Sequence, residues 1–284
     1  MSQKSYDGSP TVYLIPTPIG NLDDITIRAV EILKKVEVIF SEDTRVTSLL
    51  LNHLNIKKKL ISSHNYNETK NENKFLEYLN NGYDVGIVTD RGTPIISDPG
   101  YELVKVAIEN NYNVVGLPGP TALIPALITS GISPQPFLFY GFLNAKESKR
   151  KEELESLQNY PFTMIFYESP HRIEKMLRTM LEVFGNRNIA ISREISKKFE
   201  EIIRGNLEDV IGQLVDIKGE LVIVVSGENK VKTYDNDFTV TQHVEYFMSL
   251  GNNLKDSMKL VAKARNISKS DVYREYHRGE NIWN

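Results

Sequence analysis

The stretch VGIVTDRGTPIISDPG, residues 85–100, decides the fold class of this chain. Its apolar start, Val85–Val88, has the composition of a buried strand, and a helical pattern begins near Tyr101. The loop between them holds two glycines, two prolines and several charged or hydroxyl side chains. Connections from a strand to a helix usually take about 2–6 residues. This longer loop therefore predicts a ligand site as well as a strand–helix unit.

The same alternation of short apolar runs and amphipathic stretches fills residues 12–129. Strands separated by helices of this length are typical of βαβ units, which build a mostly parallel sheet covered on both faces. Right-handed crossovers place the carboxyl end of every strand on one edge, where open α/β sheets bind ligands. The predicted strands are 12–15, 36–40, 59–62, 85–89 and 114–117, and the predicted helices are 25–35, 45–54, 70–80, 102–110 and 121–129.

A second α/β domain is predicted for residues 132–227, after a first domain at 1–131. Two of its strands, 188–193 and 201–204, follow each other without a helix, which favours a mixed sheet over a purely parallel one. The stretch 132–155 is interpreted as the crossing between the two domains. The other predicted elements are strands 162–167 and 221–225 and helices 170–184 and 207–215.

The end of the chain is predicted to be a polar linker, 228–238, followed by a small helical domain, 239–284. Its three short helical patterns are broken at 251–253 and at Asn266, and the last begins at the capping residue Ser268, as in a helix-turn-helix. This segment is mildly basic, which suits contact with nucleic-acid phosphates. A helical lid or a brace between two subunits explains the same pattern.

The composition is that of a globular protein and excludes several classes. The chain of 284 residues has no cysteine, which excludes disulfides and thiolate metal sites, and no metal site is predicted. No apolar run approaches the ~18 residues of a membrane span, and no secretory signal is visible, so we expect a cytoplasmic protein. The net charge of −3 argues against a generally basic nucleic-acid binder but leaves local basic patches open.

Five loops rich in glycine, proline, threonine and aspartate fall at the same predicted sheet edge. For one loop alone, helix punctuation is the simpler explanation, and Asp98-Pro99 and Ser169-Pro170 look like helix starts. Neither GxGxxG nor GxxxxGK[ST] occurs, and proline removes the amide donors that a phosphate cradle needs. Rigid turns with threonine and aspartate suit a zwitterion joined to an adenosine.

The motifs, in their order along the chain, resemble those of the ribosomal RNA small subunit methyltransferase I family in the tetrapyrrole methylase superfamily. The matching stretches are YLIPTPIGNLDDITIRA, SEDTR, TDRGTPIISDPG, LPGPTALIPAL, GFLNAKESKR, FYESPHR, SREISKKFEE and KGELVIVVSG. The resemblance implies two α/β domains with S-adenosylmethionine bound in the cleft between them, and a homodimer. It also implies methylation of a cytidine ribose 2′-hydroxyl in 16S rRNA of the small ribosomal subunit.

The resemblance implies that nine residues bind the cofactor. Asp90 is expected to accept from an amino or adenosine group of the cofactor, although an Asx turn would explain it equally. Tyr167 is expected to pack on the adenine or to serve as a core aromatic residue. The nine positions are Pro16, Asp90, Gly92, Thr93, Thr121, Ala122, Tyr167, Gly219 and Glu220.

A base for the 2′-hydroxyl proton is harder to choose, and Asp43 with Arg45, His64 and Glu194 are all candidates. His64 has an ordinary pKa near neutrality but lies in a polar loop, where exposed histidines are common. The pair Asp43 and Arg45 is equally explained as a capping acid with a local ion pair.

RNA binding is expected at small basic groups, each of which could instead be a solvated surface. Arg91 stands where the family has a small residue, and it is expected to face RNA or solvent. The RNA-binding candidates are Arg91, Lys146, Lys149, Arg150, Lys151, His171, Arg172, Arg193, Lys197 and Lys198.

Two rival functions stay open at this point. A tetrapyrrole methylase is disfavoured because its corrin-making members carry a GxGPGD loop where this chain has PTPIGNLDD. A DNA-binding regulator with an α/β sensor domain is the other rival, and steeply salt-dependent binding to duplex DNA would reveal it.

Overall fold

A computed structural model of the chain describes residues 3–5, 7–63, 68–214, 217–228, 238–249 and 251–280. The chain divides into two compact units, residues 1–228 and 229–284, and each is described by itself. Both sheets lie in the first unit, so the predicted domain boundary near residue 131 stays a prediction. Among the described helices, none is at once long and apolar enough to cross a membrane.

The first sheet confirms the predicted parallel α/β arrangement. Its strand order is β3-β2-β4-β1-β5, and every neighbouring pair is parallel. The strands are β1 (Thr11–Leu14), β2 (Val38–Ser41), β3 (Lys59–Ser62), β4 (Val85–Val88) and β5 (Asn113–Gly116). The helices are α1 (Ile27–Lys35), α2 (Thr44–His53), α3 (Glu68–Asn80), α4 (Tyr101–Glu109) and α5 (Leu123–Thr129), with a 3-10 turn at Leu22–Asp24.

The central strands β2 and β4 are buried along their whole length, because helices cover both faces of a parallel sheet. Two hydrophobic clusters therefore form, one on each face. Leu33 and Ile39 belong to one cluster, and Phe40 and Phe75 belong to the other. This packing fixes the loops that follow β1, β2, β4 and β5 at one edge of the sheet.

The second sheet is mixed, as predicted, with the order β6-β7-β10-β8-β9. Strands β6 and β7 are parallel, and the other pairs are antiparallel. The strands are β6 (Phe137–Phe142), β7 (Thr163–Glu168), β8 (Asn188–Arg193), β9 (Glu201–Asn206) and β10 (Leu221–Val225). The helices are α6 (Glu147–Leu157), α7 (Ile173–Phe184) and α8 (Leu207–Gln213).

Strand β6 and helix α6 occupy the stretch that the sequence analysis assigned to a crossing. Most of β6 is partly exposed, and its register shifts between Phe139 and Gly141, so it shows no clean alternation. The buried residues of helix α6 are Arg150 and Leu154. Because an arginine forms part of its buried face, the sequence shows no apolar stripe that would predict a helix.

The alternative interpretation of two proline dipeptides as helix starts is wrong, whereas the predicted helix 102–110 lies within one residue of α4. Helix α4 begins at Tyr101 after Gly100, and no side chain caps it, so Asp98 is not a capping residue. Helix α7 begins at Ile173, three residues beyond Pro170. The side chain of Asp98 is therefore available for another role.

The second unit holds the three predicted helices, α9 (Val240–Ser249), α10 (Leu254–Arg265) and α11 (Lys269–Glu280). They pack around a core that includes Val244, Val261 and Val272. The predicted cap is confirmed, since the Ser268 hydroxyl accepts a hydrogen bond from the backbone N–H of Asp271 at 3.1 Å. The predicted linker lies mostly outside the described residues.

The buried His243 makes the second unit sensitive to acid. Its Nδ1 accepts a hydrogen bond from Arg265 Nε at 2.9 Å, and burial, followed by the charge of Arg265, lowers the pKa of His243 to about 4. In the unfolded chain the pKa is about 6.5, so below that pH the unfolded state binds the proton first. We expect the free energy of unfolding to fall by about 1–2 kcal/mol between pH 7.5 and pH 5.

Urea unfolding followed by circular dichroism, at both pH values, measures this loss. The variant His243→Asn keeps an acceptor for Arg265 at the position of Nδ1 but does not titrate, so its pH dependence should be weaker than that of the wild type. Equal pH dependence in the two proteins would contradict the assignment.

Candidate active site

A cleft of about 500 Å³ lies at the carboxyl edge of the first sheet and is closed by the second sheet. The loops after β2, β4 and β5 supply one wall. Strands β6, β7 and β10 supply the other, through residues such as Phe142, Tyr167 and Val222. The loop 89–98 therefore forms part of the cleft wall, as predicted.

Hydrogen bonds lock three of the edge loops together. Thr17 and Gly92 exchange backbone hydrogen bonds of 2.9 and 3.0 Å, which joins the loop after β1 to the loop after β4. Gly92 has a φ of +83°, a conformation that favours glycine. The hydroxyl of Thr93 donates to the carbonyl of Pro120 at 3.0 Å, which adds the loop after β5. The cleft wall is thus held by main-chain contacts.

One part of the cleft is acidic and is built from Glu42, Asp90 and Asp98. The Thr89 hydroxyl donates to Glu42 Oε2 at 2.8 Å, and Asp90 Oδ1 accepts the backbone N–H of Asp43 at 3.0 Å. Burial raises the pKa of Asp90. Burial, with the nearby charge of Glu42, raises the pKa of Asp98 to about 6. This wall suits a ligand with positive charge.

The opposite part of the cleft is aromatic. The ring of Tyr167 lies 4.9 Å from that of Phe139 and 5.6 Å from that of Phe142, measured between centroids. Burial raises the pKa of Tyr167, so its hydroxyl stays protonated at neutral pH. Thr121 and Ala122, at the start of α5, lie beside it in the cleft. This side offers an apolar aromatic surface with hydroxyl groups at its margin.

Most of the predicted cofactor residues meet in this cleft, namely Asp90, Gly92, Thr93, Thr121, Ala122, Tyr167 and Glu220. Pro16 and Gly219 do not line it. Pro16 is buried against Gly119, where an added Cβ would lie 2.6 Å from the proline Cβ. Gly219 has a φ of +92° and lies against the side chain of Glu194. These two residues shape the backbone near the cleft.

The predicted bases are placed less favourably. Asp43 caps α2 and binds Arg45, whose Nη2 lies 2.5 Å from Asp43 Oδ2, and the Arg45 hydrogen bond lowers the pKa of Asp43 to about 2. Glu194 binds Lys197 Nζ at 2.8 Å, which lowers the pKa of Glu194. None of these three residues lines the cleft. His64 lies outside the described residues.

Glu42, Asp98 and Glu168 are acidic residues of the cleft that were not predicted from the sequence. Asp98 was interpreted as part of a helix start. It lies near Glu42 only in the folded chain, because the two residues are far apart in the sequence. The described residues contain no group of three histidine, aspartate or glutamate side chains that could hold a metal ion.

Arg91 was expected to face RNA or solvent, and its side chain is instead held in an ion pair. It forms an ion pair with Glu220, which belongs to the second sheet region, and Lys197 Nζ binds the same Glu220 at 3.0 Å and Glu194 at 2.8 Å. These four residues, which we call the charged rim, join the two halves of the first unit. Arg91 and Glu220 also line the cleft.

The other RNA-binding candidates divide into paired and exposed groups. Arg150 is 4 % exposed and donates to Thr179 at 3.1 Å, so it is a structural residue, and its prediction as an RNA contact is corrected. Arg172 binds Glu168 at 3.2 Å and Arg193 binds Glu201 at 2.8 Å. Lys151 pairs with Glu182. The exposed candidates are Lys146, Lys149, His171 and Lys198.

The side chains that line the cleft fit the chemical groups of S-adenosylmethionine. The aromatic part matches a purine, and Asp90 in the acidic part matches the α-ammonium group. A larger residue in place of Gly92 would crowd Ile19, because a Cβ there would lie 3.3 Å from that side chain. When bound, this cofactor supplies an electrophilic methyl group.

The comparisons with known proteins agree with this fit. The sequence model of the tetrapyrrole (corrin/porphyrin) methylases matches residues 11–211. A cobalt precorrin-4 methyltransferase has the same fold, with a TM-score of 0.59 and 16% identity over 80% of this chain and 98% of its own. A uroporphyrin-III C-methyl transferase from Thermus thermophilus, complexed with S-adenyl homocysteine, gives a TM-score of 0.55 and 19% identity over 77% and 97%. Fold and cleft together define a methyltransferase of the tetrapyrrole methylase class.

Similarity over the full chain is stronger still. The ribosomal RNA small subunit methyltransferase I of Bacillus subtilis is 44% identical over 97% of this chain and 98% of its own length. That of Halalkalibacterium halodurans is 41% identical over 97% and 99%. The chain belongs to the ribosomal RNA small subunit methyltransferase I family. It is therefore a methyltransferase with S-adenosylmethionine as methyl donor, as the motifs implied.

Proposed function

We propose that the protein methylates the 2′-hydroxyl of a cytidine ribose in 16S rRNA of the small ribosomal subunit. The observation that carries the proposal is the 44% identity, over nearly the whole chain, to a relative named as a small-subunit rRNA methyltransferase. The cleft supports the proposal because one cavity holds both an aromatic wall for the cofactor and an acidic wall with a carboxylate of raised pKa. A ribosomal substrate would place the protein in the cytoplasm.

The chain's own residues divide the work in this scheme. Tyr167 and Phe142 offer a stacking surface, and Asp90 accepts from the cationic end of the cofactor. The locked loops around Gly92 hold these groups in place before binding. Such fixed positioning matters because methyl transfer is an in-line displacement, whose rate depends on alignment.

Methyl transfer from labelled S-adenosylmethionine to small ribosomal subunits lacking the modification tests the proposal. Digestion to nucleosides and mass mapping then locate the label. We expect the label on the ribose of a cytidine. Label on a base, or on uroporphyrin or a corrin precursor supplied as the acceptor, would overturn it. Naked 16S rRNA, assayed in parallel, identifies the form of the substrate.

The exposed lysines at the start of α6 give a prediction about RNA binding. Lys146 and Lys149 are exposed, and we expect the double variant Lys146→Glu/Lys149→Glu to weaken binding of the RNA substrate while leaving cofactor affinity unchanged. Each lost phosphate contact should reduce the slope of log affinity against log salt by about 1. An acidic residue at a helix N-terminus is not destabilising, so folding should persist.

Filter binding at several salt concentrations measures this slope, and Lys34→Glu/Lys57→Glu, at two other exposed lysines, is the matched control for the same change of charge. An unchanged slope in the α6 variant would remove this surface from the proposal.

The homodimer also stays a prediction, which light scattering of the purified protein would test.

A further inference from the structure

The loop that carries Asp98 has an unusual backbone. Ile95 has a φ of +77° and Ser97 a φ of +69°, a region that is rare for residues other than glycine and is a clear outlier for the β-branched Ile95. Conformations of this kind are unfavourable and persist where the surroundings enforce them. The loop is thus held in one shape between β4 and α4.

The second sheet braces this loop. Gly141, at the irregularity in β6, lies so close that a Cβ added there would be 3.2 Å from the Ser97 hydroxyl. Asp98 follows directly and lines the cleft beside Tyr167 and Thr121. Contacts from both halves of the first unit therefore position its carboxyl group inside the cavity.

The groups that face Asp98 are mostly acidic. Glu42 approaches from the loop after β2 and Asp90 from the loop after β4, and Tyr167 approaches from β7. Burial, the charge of Glu42 and the charge of Asp90 raise the pKa of Asp98 to about 6, while the Thr89 hydroxyl lowers it in part. The proton of that hydroxyl is directed to Glu42 at 2.8 Å.

We propose that Asp98 is the general base that takes the proton from the ribose 2′-hydroxyl during methyl transfer. This inference rests on the proposed function. The 2′-oxygen forms the new O–C bond while the S–C bond of the cofactor breaks and leaves its electron pair on sulfur. The 2′-hydroxyl proton passes to the Asp98 carboxylate and then to solvent. The methyl group, the proton and the electron pair are all accounted for.

Asp98 suits this role better than Asp43 and Glu194, the two described bases that the sequence predicted. A base works best when its pKa lies near the working pH, and a carboxyl group with a pKa of about 6 is mostly ionised at pH 7.5 yet still basic. Asp43 and Glu194 have lowered pKa values, are engaged by Arg45 and Lys197, and do not line the cleft.

The test is the variant Asp98→Asn in the full-length protein, assayed in single turnover with saturating RNA and cofactor. We expect the rate constant to fall about 10²- to 10⁴-fold. Affinity for S-adenosylmethionine and S-adenosylhomocysteine, measured by calorimetry, should change less than about threefold. The wild-type rate should fall on the acidic side, because protonation of Asp98 removes the base, and the variant should lack this limb.

Two further variants sharpen the test. Glu109→Gln, at the exposed end of α4, is a matched control for loss of a carboxylate and should keep the wild-type rate. Asp98→Glu keeps a carboxylate but moves it by one methylene, so it should be slower than wild type yet retain an acidic limb. The Glu variant keeps the proposal testable if the Asn variant does not fold, since an absent limb there would refute it.

Two outcomes for Asp98→Asn overturn the inference. A rate within about tenfold of wild type would show that no proton goes to Asp98. Loss of cofactor affinity by about 100-fold would make Asp98 a cofactor ligand. Failure of the proposed function is distinguishable, because the wild-type protein itself would then bind cofactor but leave cytidine ribose unlabelled.

Discussion

Asp90→Ala is expected to weaken S-adenosylmethionine binding roughly 10- to 100-fold, which corresponds to about 1.4–2.8 kcal/mol. Two losses combine in this variant. A carboxylate that faces the cationic end of the cofactor disappears, and hydrogen bonds to charged groups contribute about 1.5–3 kcal/mol. The backbone N–H of Asp43 also loses its acceptor, Asp90 Oδ1 at 3.0 Å, so the loops after β2 and β4 are no longer joined there.

Asp90→Asn separates these two contributions. The amide keeps an oxygen for the Asp43 N–H and nearly the same volume, but it carries no charge. Calorimetry with the wild type and both variants should give an intermediate affinity for Asp90→Asn if charge and loop position both matter. Wild-type affinity in Asp90→Ala would exclude this aspartate from the cofactor site, whichever base performs catalysis.

Gly227→Ala is expected to lower the free energy of unfolding by about 2–3 kcal/mol. Gly227 follows β10, and a Cβ built there overlaps the backbone of Pro161 and Phe162, at distances that real Cβ atoms do not show. Backbone atoms cannot move aside as a flexible side chain can. Relief of the overlap must therefore shift β7 against β10, two adjacent strands of the second sheet.

The same shift should reach the cofactor, because Tyr167 on β7 and Val222 on β10 are paired and both line the cleft. Urea unfolding followed by circular dichroism measures the stability change. Gly212→Ala in α8 is the matched control, since nothing lies within 4 Å of the added Cβ and alanine favours a helix. Equal stability of the two variants would show that the tight approach at Gly227 is easily relieved.

The first sheet was predictable from the sequence because its local signals agree with its tertiary structure. Strands β2 and β4 are short apolar runs, and each is followed by a helix with a polar face. Strand β6 lacked such a signal, because Gly141 interrupts its register and most of its residues are partly exposed. Helix α6 buries an arginine, Arg150, which a hydrophobic pattern cannot reveal.

The site was predictable where its residues belong to recognisable loops. Asp90, Gly92 and Thr121 are examples, and the structure brings them into one cleft. Interactions between distant segments were not predictable. The pairing of Arg91 with Glu220 joins the two halves of the first unit, and the surroundings of Asp98 depend on Glu42, a residue in another loop. Sequence patterns report local geometry, so such partners become visible only in the folded chain.

The strand order of the first sheet constrains how the protein can form during synthesis. Strand β1 is made first, yet its two neighbours are β4 and β5. A nascent chain that ends after β3 can pair β2 with β3, but β1 has no neighbouring strand until β4 (Val85–Val88) has emerged, and its second neighbour β5 follows only at Asn113–Gly116. Non-local parallel pairing of this kind is intrinsically slow and leaves strand edges open meanwhile. The apolar strand β1 therefore stays unpaired until the segment that also forms a wall of the active site has been made.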